Sequence, residues 1–342
     1  MAVATDLFLS SHGLDPAALL DAVPPACRTP SGVSASRAAE SLRTNTEAER
    51  LIETPDWIPR TGAVHLVPSF SALTAAPVSF RFELSVRLAG AWSPWVAADA
   101  IGSAVFDPLP ASGAPLRADI DELTTPSPVE AVRLRLRWRG EPEALESPWL
   151  IALSASDQRP PPSAAASPAR GVRLPVPAIS QMAVGGPDAM RICSPTSVAI
   201  VLGYWGRAVP ALLVAADVFH APTDRYGVWP AAIAGAARHD VAGYLLRFPD
   251  WASAAWCLEH EMPIIASIRF AAGELRGAPL AQTSGHLVVL TGYDGDWVLV
   301  NDPAAAGEDT VPRRYLRSEL ERVWLQRAGM GYVLFPPPRA RR

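Results

Sequence analysis

The sequence predicts an α+β protein made of an N-terminal antiparallel β-sandwich followed by a domain of mixed helices and strands. Before residue 157, short runs alternate apolar and polar side chains, which is the period of a half-buried strand. After residue 171, helical patterns come first and strand patterns follow, which is typical of an α+β domain. Between them, residues 158–170 are rich in proline, alanine and serine, a composition that indicates a linker. We therefore expect a β-sandwich-like accessory domain over 1–157, the linker over 158–170 and a second domain over 171–342.

Composition excludes several classes of protein. The 342 residues are 49% hydrophobic and 19% charged, which is typical of a soluble globular chain of two domains. A net charge of -4 argues against a nucleic-acid surface, and no stretch approaches the roughly 20 apolar residues of a membrane span. The N-terminus lacks the basic and apolar regions of a signal peptide, which favours the cytoplasm, although a processed secreted chain would look the same.

The cysteine and histidine patterns predict no metal site and no cofactor. Cys27, Cys193 and Cys257 are too few and too scattered for a disulfide framework. There is no C-x-x-C motif and no pair of histidines at metal-ligand spacing, so a zinc site is not expected.

In the first domain, the strand signals are short and separated by proline and glycine. The first 45 residues predict only a short helix over Asp15–Ala22, with the rest irregular. In the predicted strand Val132–Arg139, arginines alternate with apolar residues and are expected on the solvent face. The predicted strands are Val78–Leu88, Val132–Arg139 and Trp149–Ser154, with a short aromatic run over Ala91–Val96.

In the second domain, three helices precede three strands. The helices are expected to be amphipathic and the strands to be short and largely apolar. The predicted helices are Ser194–Tyr204, Trp229–His239 and Trp251–Glu261, and the predicted strands are Ile264–Phe270, His286–Tyr293 and Trp297–Asn301.

Cys193 lies at a predicted helix start. Pro195 is acceptable only in a first turn, and Gly206 is placed to end the helix. A thiol at a helix N-terminus is close to unpaired N–H groups and to the positive end of the dipole, which favour the thiolate. Most cysteines are nevertheless buried structural residues, so this context alone does not identify a nucleophile. We expect Cys27 and Cys257 to be structural.

His286 and Asp302 flank a hairpin signal, Asp294-Gly-Asp. If the loop holds three residues, Val288 faces Asp302, and His286 then shares a sheet face with Asp302 as a diagonal neighbour. A two-residue loop would place the two side chains on opposite faces, because a one-residue shift of register reverses every side chain. The loop length therefore decides whether a contact between the imidazole and the carboxylate forms.

A thiol, an imidazole and a carboxylate together are the groups needed for nucleophilic catalysis. The imidazole helps to form the thiolate and later protonates the leaving group, and the carboxylate fixes the tautomer of the imidazole. The chain order Cys193, His286, Asp302 fits a papain-like arrangement, and no G-x-S-x-G motif indicates a serine hydrolase.

The second half resembles the peptidase C39-like family, a bacterial papain-like group related to the bacteriocin-leader peptidases. The motifs that carry the resemblance run in family order. They are Val176–Gln181, Cys193–Gly206, Gly227–Pro230, Met262–Ile268, and Ser284–Tyr293 with Val300–Ala304.

The resemblance implies a papain-like fold and a cysteine peptidase or amidase that acts on a peptide or peptide-like substrate. It implies Cys193 as the nucleophile, His286 as the base, Asp302 as the orienting carboxylate and Gln181 as the oxyanion donor. A solvated loop residue is the alternative for Gln181, which lies twelve positions before the cysteine. Ser194 stands where many members have glycine, and with Trp229 it is a candidate substrate contact. Core packing is the alternative for Trp229.

The competing hypothesis is a peptide- or glycan-binding protein whose papain-like domain is inactive or secondary. Exposed aromatic side chains on a β-sheet commonly bind sugars or peptides, so the first domain would then make a glycan or cell-wall contact. Five of its tryptophans could supply such rings, although core positions are the simpler explanation: Trp57, Trp92, Trp95, Trp138 and Trp149.

Overall fold

The computed structural model describes residues 4–34, 37–43, 48–109, 112–113, 115–157 and 171–340. The predicted linker over 158–170 lies outside these residues. The chain divides into two compact units that are not continuous in sequence. The first unit comprises Met1–Arg159, Ala237–Leu245 and Pro337–Arg342, and the second comprises Pro160–Ala236 and Leu246–Pro336.

The first unit is built almost entirely from strands. Most of the strands are short, and among the described residues two short α-helices and a 3-10 turn over Pro25–Cys27 lie between them. They are β1 (Thr5–His12), β2 (Arg28–Ser34), β3 (Arg37–Arg43), β4 (Ala48–Glu53), β5 (His65–Ala72), β6 (Val78–Leu88), β7 (Ala91–Trp92), β8 (Val96–Ala97), β9 (Ser112–Gly113), β10 (Leu116–Ala118), β11 (Leu123–Thr124), β12 (Ala131–Gly140) and β13 (Trp149–Ser156), with helices α1 (Pro16–Asp21) and α2 (Pro142–Leu145).

These strands form two sheets. One has the order β2-β1-β13-β5-β11-β10-β9, and the other has the order β3-β4-β12-β6-β7, with β8 also paired to β6. Apart from β1 and β2, which are parallel, the neighbouring strands are antiparallel. The Phe70 ring of the first sheet contacts the Phe80 and Trp138 rings of the second sheet at centroid distances of 5.2 and 5.1 Å. These three rings therefore pack between the two sheets.

The predicted strand Val78–Leu88 is confirmed with the same bounds. The prediction of irregular structure for the first 45 residues is wrong, because β1, β2 and β3 lie there. Six consecutive residues of β1, starting at Thr5, are buried, so this strand has no alternating pattern that periodicity could detect. The short helix predicted over Asp15–Ala22 is confirmed as α1, and the Asp15 carboxylate accepts a hydrogen bond from the Ala17 N–H at its start.

A return segment of the chain, Ala237–Leu245, groups with the first unit. The Ser71 hydroxyl donates to the Gly243 carbonyl and accepts from the Gly243 N–H, both at 3.0 Å. The Ser69 hydroxyl accepts from the Leu245 N–H at 3.2 Å. Serines on the β5 strand therefore bind the backbone of this segment, which forms most of strand β15 (Ala242–Arg247).

The second unit combines helices with one sheet in the order β20-β16-β17-β18-β19, with β14 also paired to β17. The helices predicted to start near Cys193, Trp229 and Trp251 are confirmed to within two residues at each end. The elements are β14 (Val172–Arg173), α3 (Cys193–Tyr204), α4 (Ala211–Val218), α5 (Trp229–Ala237, whose last residue falls in the first unit), α6 (Trp251–Glu259), β16 (Ile264–Phe270), β17 (Thr283–Asp294), β18 (Trp297–Asn301), β19 (Pro312–Leu316), α7 (Arg317–Val323) and β20 (Met330–Phe335), with 3-10 turns over Gln181–Val184, Ala221–Thr223 and Glu308–Thr310.

The hairpin of β17 and β18 has a two-residue loop, yet it keeps the register of a three-residue loop at its far end. Asp294 pairs with Trp297, so only Gly295 and Asp296 form the turn. A bulge between Leu290 and Gly292 then adds one residue to β17, so that Val289 pairs with Asn301. Beyond the bulge, the side chains of β17 and β18 therefore point to the faces that were predicted for a three-residue loop.

Gly292 is the residue that permits this bulge. Its φ is +154°, and a Cβ there would lie 2.0 Å from the Val172 carbonyl oxygen of β14. A side chain would therefore clash with the backbone of the neighbouring strand and also strain its own backbone.

We predict that Gly292→Ala lowers the free energy of unfolding of the second unit by about 3 kcal/mol or more, through backbone strain and the clash. Denaturant unfolding followed by tryptophan fluorescence checks this. Gly227→Ala is the matched control, because a Cβ at Gly227 meets nothing within 4 Å. Equal stability of the two variants would show that the bulge does not require glycine.

Candidate active site

Cys193 is the first residue of α3, as the sequence predicts. Pro195 occupies the first turn and is buried, and Gly206 ends the helix at φ +74°. The Gly206 and Arg207 N–H groups bond to the Gly203 and Leu202 carbonyls, which completes a Schellman motif. The cysteine is therefore held at the N-terminus of a helix with a well-defined end.

Hydrogen bonds fix α3 against the sheet. The Ser197 hydroxyl donates to the Leu287 carbonyl at 3.2 Å, next to His286 in β17. At the other end of the helix, the Trp205 indole donates to the Leu334 carbonyl of β20 at 2.9 Å. Because both contacts involve backbone carbonyls of the sheet, the helix start and the histidine strand keep a fixed relation.

His286 and Asp302 are in direct contact. The His286 Nε2 atom lies 2.8 Å from the Asp302 Oδ1 atom, and the two residues are 2% and 0% exposed. The Ala304 N–H also bonds Oδ1 at 3.0 Å, and the Tyr315 hydroxyl donates to Oδ2 at 2.7 Å. The carboxylate is thus buried but has hydrogen-bond partners on both oxygens, as a buried charge requires.

Tyr315 was missed by sequence reasoning. It lies on β19 beside β18, and the alternation in Pro312–Leu316 could have indicated one buried position on a short strand. Burial and the charge of Asp302 raise the pKa of Tyr315, so the phenol stays protonated and acts as a donor.

The thiol and the imidazole form a coupled pair. Burial raises the pKa of Cys193, but a hydrogen bond from His286, the charge of His286 and the backbone N–H groups of Leu287 and Ser194 outweigh it, so the pKa is lowered. Burial lowers the pKa of His286, but the charge and hydrogen bond of Asp302 and the bond to Cys193 raise it to about 10. Both pKa shifts favour the thiolate and imidazolium form of the pair. Since Nε2 bonds to Asp302, Nδ1 is the nitrogen left for the thiol.

Gln181 is held next to the loop that follows Asp302. Its backbone N–H bonds to the Pro303 carbonyl at 2.9 Å, and the Ser180 hydroxyl donates to the Ala305 carbonyl. The Gln181 Nε2 atom donates to the Ala189 carbonyl at 2.7 Å, and its buried Oε1 atom has no hydrogen-bond partner among the described residues. The side chain is 1% exposed, so it is a fixed buried amide and not the solvated loop residue that was the alternative.

The two candidate substrate contacts are placed differently. Trp229 is the first residue of α5, and its side chain is partly exposed. Ser194 is 0% exposed, and its hydroxyl lies 3.4 Å from the Tyr332 hydroxyl. The contribution of Ser194 that the structure describes is its backbone N–H, which bonds to the Cys193 thiolate. Cys27 and Cys257 are buried at 0%, whereas Cys193 is partly exposed.

The tryptophans of the first unit do not form an exposed aromatic row. Trp57, Trp138 and Trp149 are buried. Trp92 and Trp95 are partly exposed, and the guanidinium carbons of Arg133 and Arg135 lie 3.8 Å from their ring centroids. The sugar-binding surface considered from the sequence is therefore not supported.

Within the described residues, no group of three or more histidine, cysteine or acidic side chains is arranged to hold a metal ion. Over the same part of the chain, no helix is both long and apolar enough to cross a membrane.

We predict that iodoacetamide alkylates Cys193 before Cys27 and Cys257, with a pH midpoint below the ordinary value of about 8.5. His286→Ala should raise the midpoint, because only the backbone N–H groups of Leu287 and Ser194 then oppose the effect of burial. Mass spectrometry of labelled peptides over a pH series measures both. His260→Ala, which removes an exposed histidine, is the control, and a midpoint unchanged by His286→Ala would contradict the ion pair.

We predict that Tyr315→Phe costs about 2 kcal/mol of unfolding free energy, the typical value of a buried hydrogen bond to a charged group. It should also raise the pKa of Asp302 and weaken its hold on His286, so the alkylation midpoint of Cys193 should rise. The substitution keeps the ring and hence the packing. A loss of stability without any change in the pH midpoint of Cys193 alkylation would show that Tyr315 has only a structural role.

The similarity to known proteins falls mainly in the second unit. The sequence model of the Peptidase_C39 like family matches residues 173–332. No curated protein sequence gives a significant match.

Solved structures similar to this chain cover about half of it. A putative C39-like peptidase from Bacillus anthracis is 20% identical with a TM-score of 0.40, covering 50% of this chain and 100% of its own. A double glycine motif protease from an AMS/PCAT transporter, solved with its leader peptide, is 20% identical with a TM-score of 0.35, covering 48% and 94%. The peptidase domain of Streptococcus ComA, a bifunctional ABC transporter of a quorum-sensing pathway, is 15% identical with a TM-score of 0.33, covering 47% and 96%. By sequence, residues 173–332, just under half of this chain, are similar to the Peptidase_C39 like family.

Proposed function

We propose that the protein is a cysteine peptidase or amidase that cleaves a peptide or amide bond through Cys193, His286 and Asp302. The observation that carries this proposal is the continuous series of hydrogen bonds from the Cys193 thiol through His286 to Asp302 and Tyr315. A structural cysteine needs no buried imidazolium and carboxylate behind it. Chain order and placement, with the cysteine on a helix and the other two on a hairpin, support a papain-like fold for residues 171–342.

The proposed reaction begins with the thiolate of Cys193. It attacks the carbonyl carbon of the substrate, a C–S bond forms, and the carbonyl electrons move to oxygen. His286 then donates its proton to the leaving nitrogen as the C–N bond breaks, which leaves a thioester. Water attacks the thioester, His286 takes one proton from the water, and the acid product leaves with the thiolate restored.

Asp302 keeps His286 in the tautomer and orientation that these steps need, as in other triads. Its own pKa is raised by burial but lowered more strongly by the charge and hydrogen bond of His286, by the Tyr315 hydroxyl and by the Ala304 N–H. The carboxylate therefore stays ionised and offsets the positive charge of the imidazolium.

Gln181 is the proposed oxyanion donor together with the Cys193 backbone N–H. Of the two Nε2 protons of Gln181, one is used by the Ala189 carbonyl, which fixes the amide plane. The second proton is then available without reorganisation, which is the property that an oxyanion donor requires.

For the first unit we propose a β-sandwich accessory domain, since its two sheets share a core in which Phe70 contacts Phe80 and Trp138. We assign it no glycan ligand, because three of its five strand-associated tryptophans are buried.

We predict that Cys193→Ala abolishes cleavage of any peptide that the wild-type chain cleaves. Incubation with a proteome-derived peptide library, with new termini identified by mass spectrometry, measures this. Cys257→Ala is the matched control, because it removes a thiol on helix α6 without touching the triad. New termini that persist in the Cys193→Ala sample would rule out this nucleophile.

We predict that Gln181→Ala lowers kcat by about 10²-fold or more with little change in KM, the usual effect of removing one oxyanion donor. The alkylation rate of Cys193 should stay close to that of the wild type, because alkylation forms no oxyanion. Equal losses in alkylation and in kcat would instead indicate that Gln181 only supports the fold.

A further inference from the structure

Four residues lie in one row across four strands of the second unit. Arg173 of β14 is opposite Gly292 of β17, Gly292 is opposite Leu299 of β18, and Leu299 is opposite Arg314 of β19. Residues directly opposite one another in an antiparallel pair share a sheet face. The row therefore places two arginines on one face, on either side of a glycine and a leucine.

This face is opposite to the one that carries the triad. Leu299 of β18 lies three residues before Asp302, which directly follows the strand, and on β19 Arg314 is adjacent to Tyr315. Side chains alternate between faces along a strand, so the arginine row and the catalytic carboxylate lie on different sides of the same sheet. A ligand in this row would not occupy the proposed catalytic site.

A cavity of about 460 Å³ opens over the row. The chain after β14 crosses this face, because the Leu174 N–H bonds to the Thr291 carbonyl and the Asn301 amide donates to the Val176 and Pro177 carbonyls. Leu174, Val176 and Leu299 line the cavity with the two arginines of the row and with Arg313, whose guanidinium donates to the Gly277 carbonyl at 2.7 Å. The Val172 carbonyl fills the space that a Gly292 side chain would take, so the apolar lining between the two cationic groups comes from the three aliphatic side chains.

The charges of the two arginines are not neutralised. Both are exposed, and neither has an ion pair or a side-chain hydrogen bond among the described residues. Arg314 lies over the exposed Trp297 ring at 5.3 Å from its centroid. In the adjoining cavity, Glu319 is already bound by Arg276 at 2.6 Å. Asp294, opposite Trp297 at the hairpin turn, is the nearest acid in register on this face.

We propose that this groove, formed by Arg173, Leu174, Val176, Leu299 and Arg314, binds an extended peptide segment with a carboxylate on each side of an aliphatic side chain. Charge complementarity identifies the occupant. Three strand spacings of about 4.8 Å separate the Cα atoms of the two arginines by roughly 14 Å. That distance matches about four residues of extended chain at roughly 3.4 Å each.

A nucleic acid is a poorer match for the same cations. Its phosphates need a longer track of basic residues, whereas this row offers two arginines with apolar surface between them, in a chain of net charge -4. The groove is therefore assigned to an acidic and aliphatic peptide.

The test uses the full chain with Cys193→Ala, so that binding is read without cleavage and its failure is separate from failure of the proposed reaction. The probe is a fluorescein-labelled peptide, Ala-Glu-Ala-Leu-Ala-Glu-Ala, followed by anisotropy at low salt and at 0.15 M salt. We expect saturable binding that weakens with salt. Arg173→Ala and Arg314→Ala should each weaken it by about tenfold, as the loss of a charge-assisted contact predicts.

Three controls decide the outcome. Arg269→Ala removes an equally exposed arginine from β16 and should leave binding unchanged. The same peptide with glutamines in place of glutamates should not bind, and Asp294→Asn should bind as well as the parent chain or better. No binding at low salt, equal losses in Arg269→Ala and Arg314→Ala, or equal binding of a single-stranded oligonucleotide would each overturn the proposal.

Discussion

The buried contact between His286 and Asp302 is the interaction on which the second unit depends. A carboxylate with 0% exposure is costly to bury unless its oxygens have partners, and here an imidazole, a phenol and a backbone N–H supply them. These partners come from β17, β19 and the loop after β18. Three segments must therefore be in the correct register before the charge is stabilised.

The register depends on the bulge at Gly292. A hairpin with a two-residue turn and no bulge would place His286 and Asp302 on opposite faces of the sheet. One extra residue in β17 restores the shared face. The same glycine lies in the row between Arg173 and Arg314, so one residue takes part in the register of His286 and Asp302 on one face and in the proposed peptide groove on the other.

A rigid element, helix α3, holds the proposed nucleophile against this sheet. Helix α3 is buried from Ser194 to Leu202 and is bonded to β17 and β20 at its two ends. Its N-terminus brings Cys193 to His286 without a flexible loop. Electrostatics then determine the state of the pair, since the hydrogen bond and charge of His286 outweigh the effect of burial on the thiol. Gln181 is fixed by the residues that follow Asp302, so all four candidate groups are positioned by the β17–β18 hairpin and its surroundings.

The sequence by itself determined the local elements. The alternation in Val78–Leu88, the proline in the first turn of α3 and the glycine after it each predicted a boundary that the structure confirms, because each depends on backbone chemistry within a few residues. It also predicted which thiol, imidazole and carboxylate come together, although it left two hairpin registers open. Only the tertiary structure decided between the two registers. The bulge lies where the Val172 carbonyl of another strand packs closely against Gly292, a contact that the hairpin sequence does not contain. The role of Tyr315 was likewise not predictable, since alternation can indicate a buried position but not its partner on another strand. Strand β1 was not predictable because burial on both faces leaves no periodic signal in the sequence.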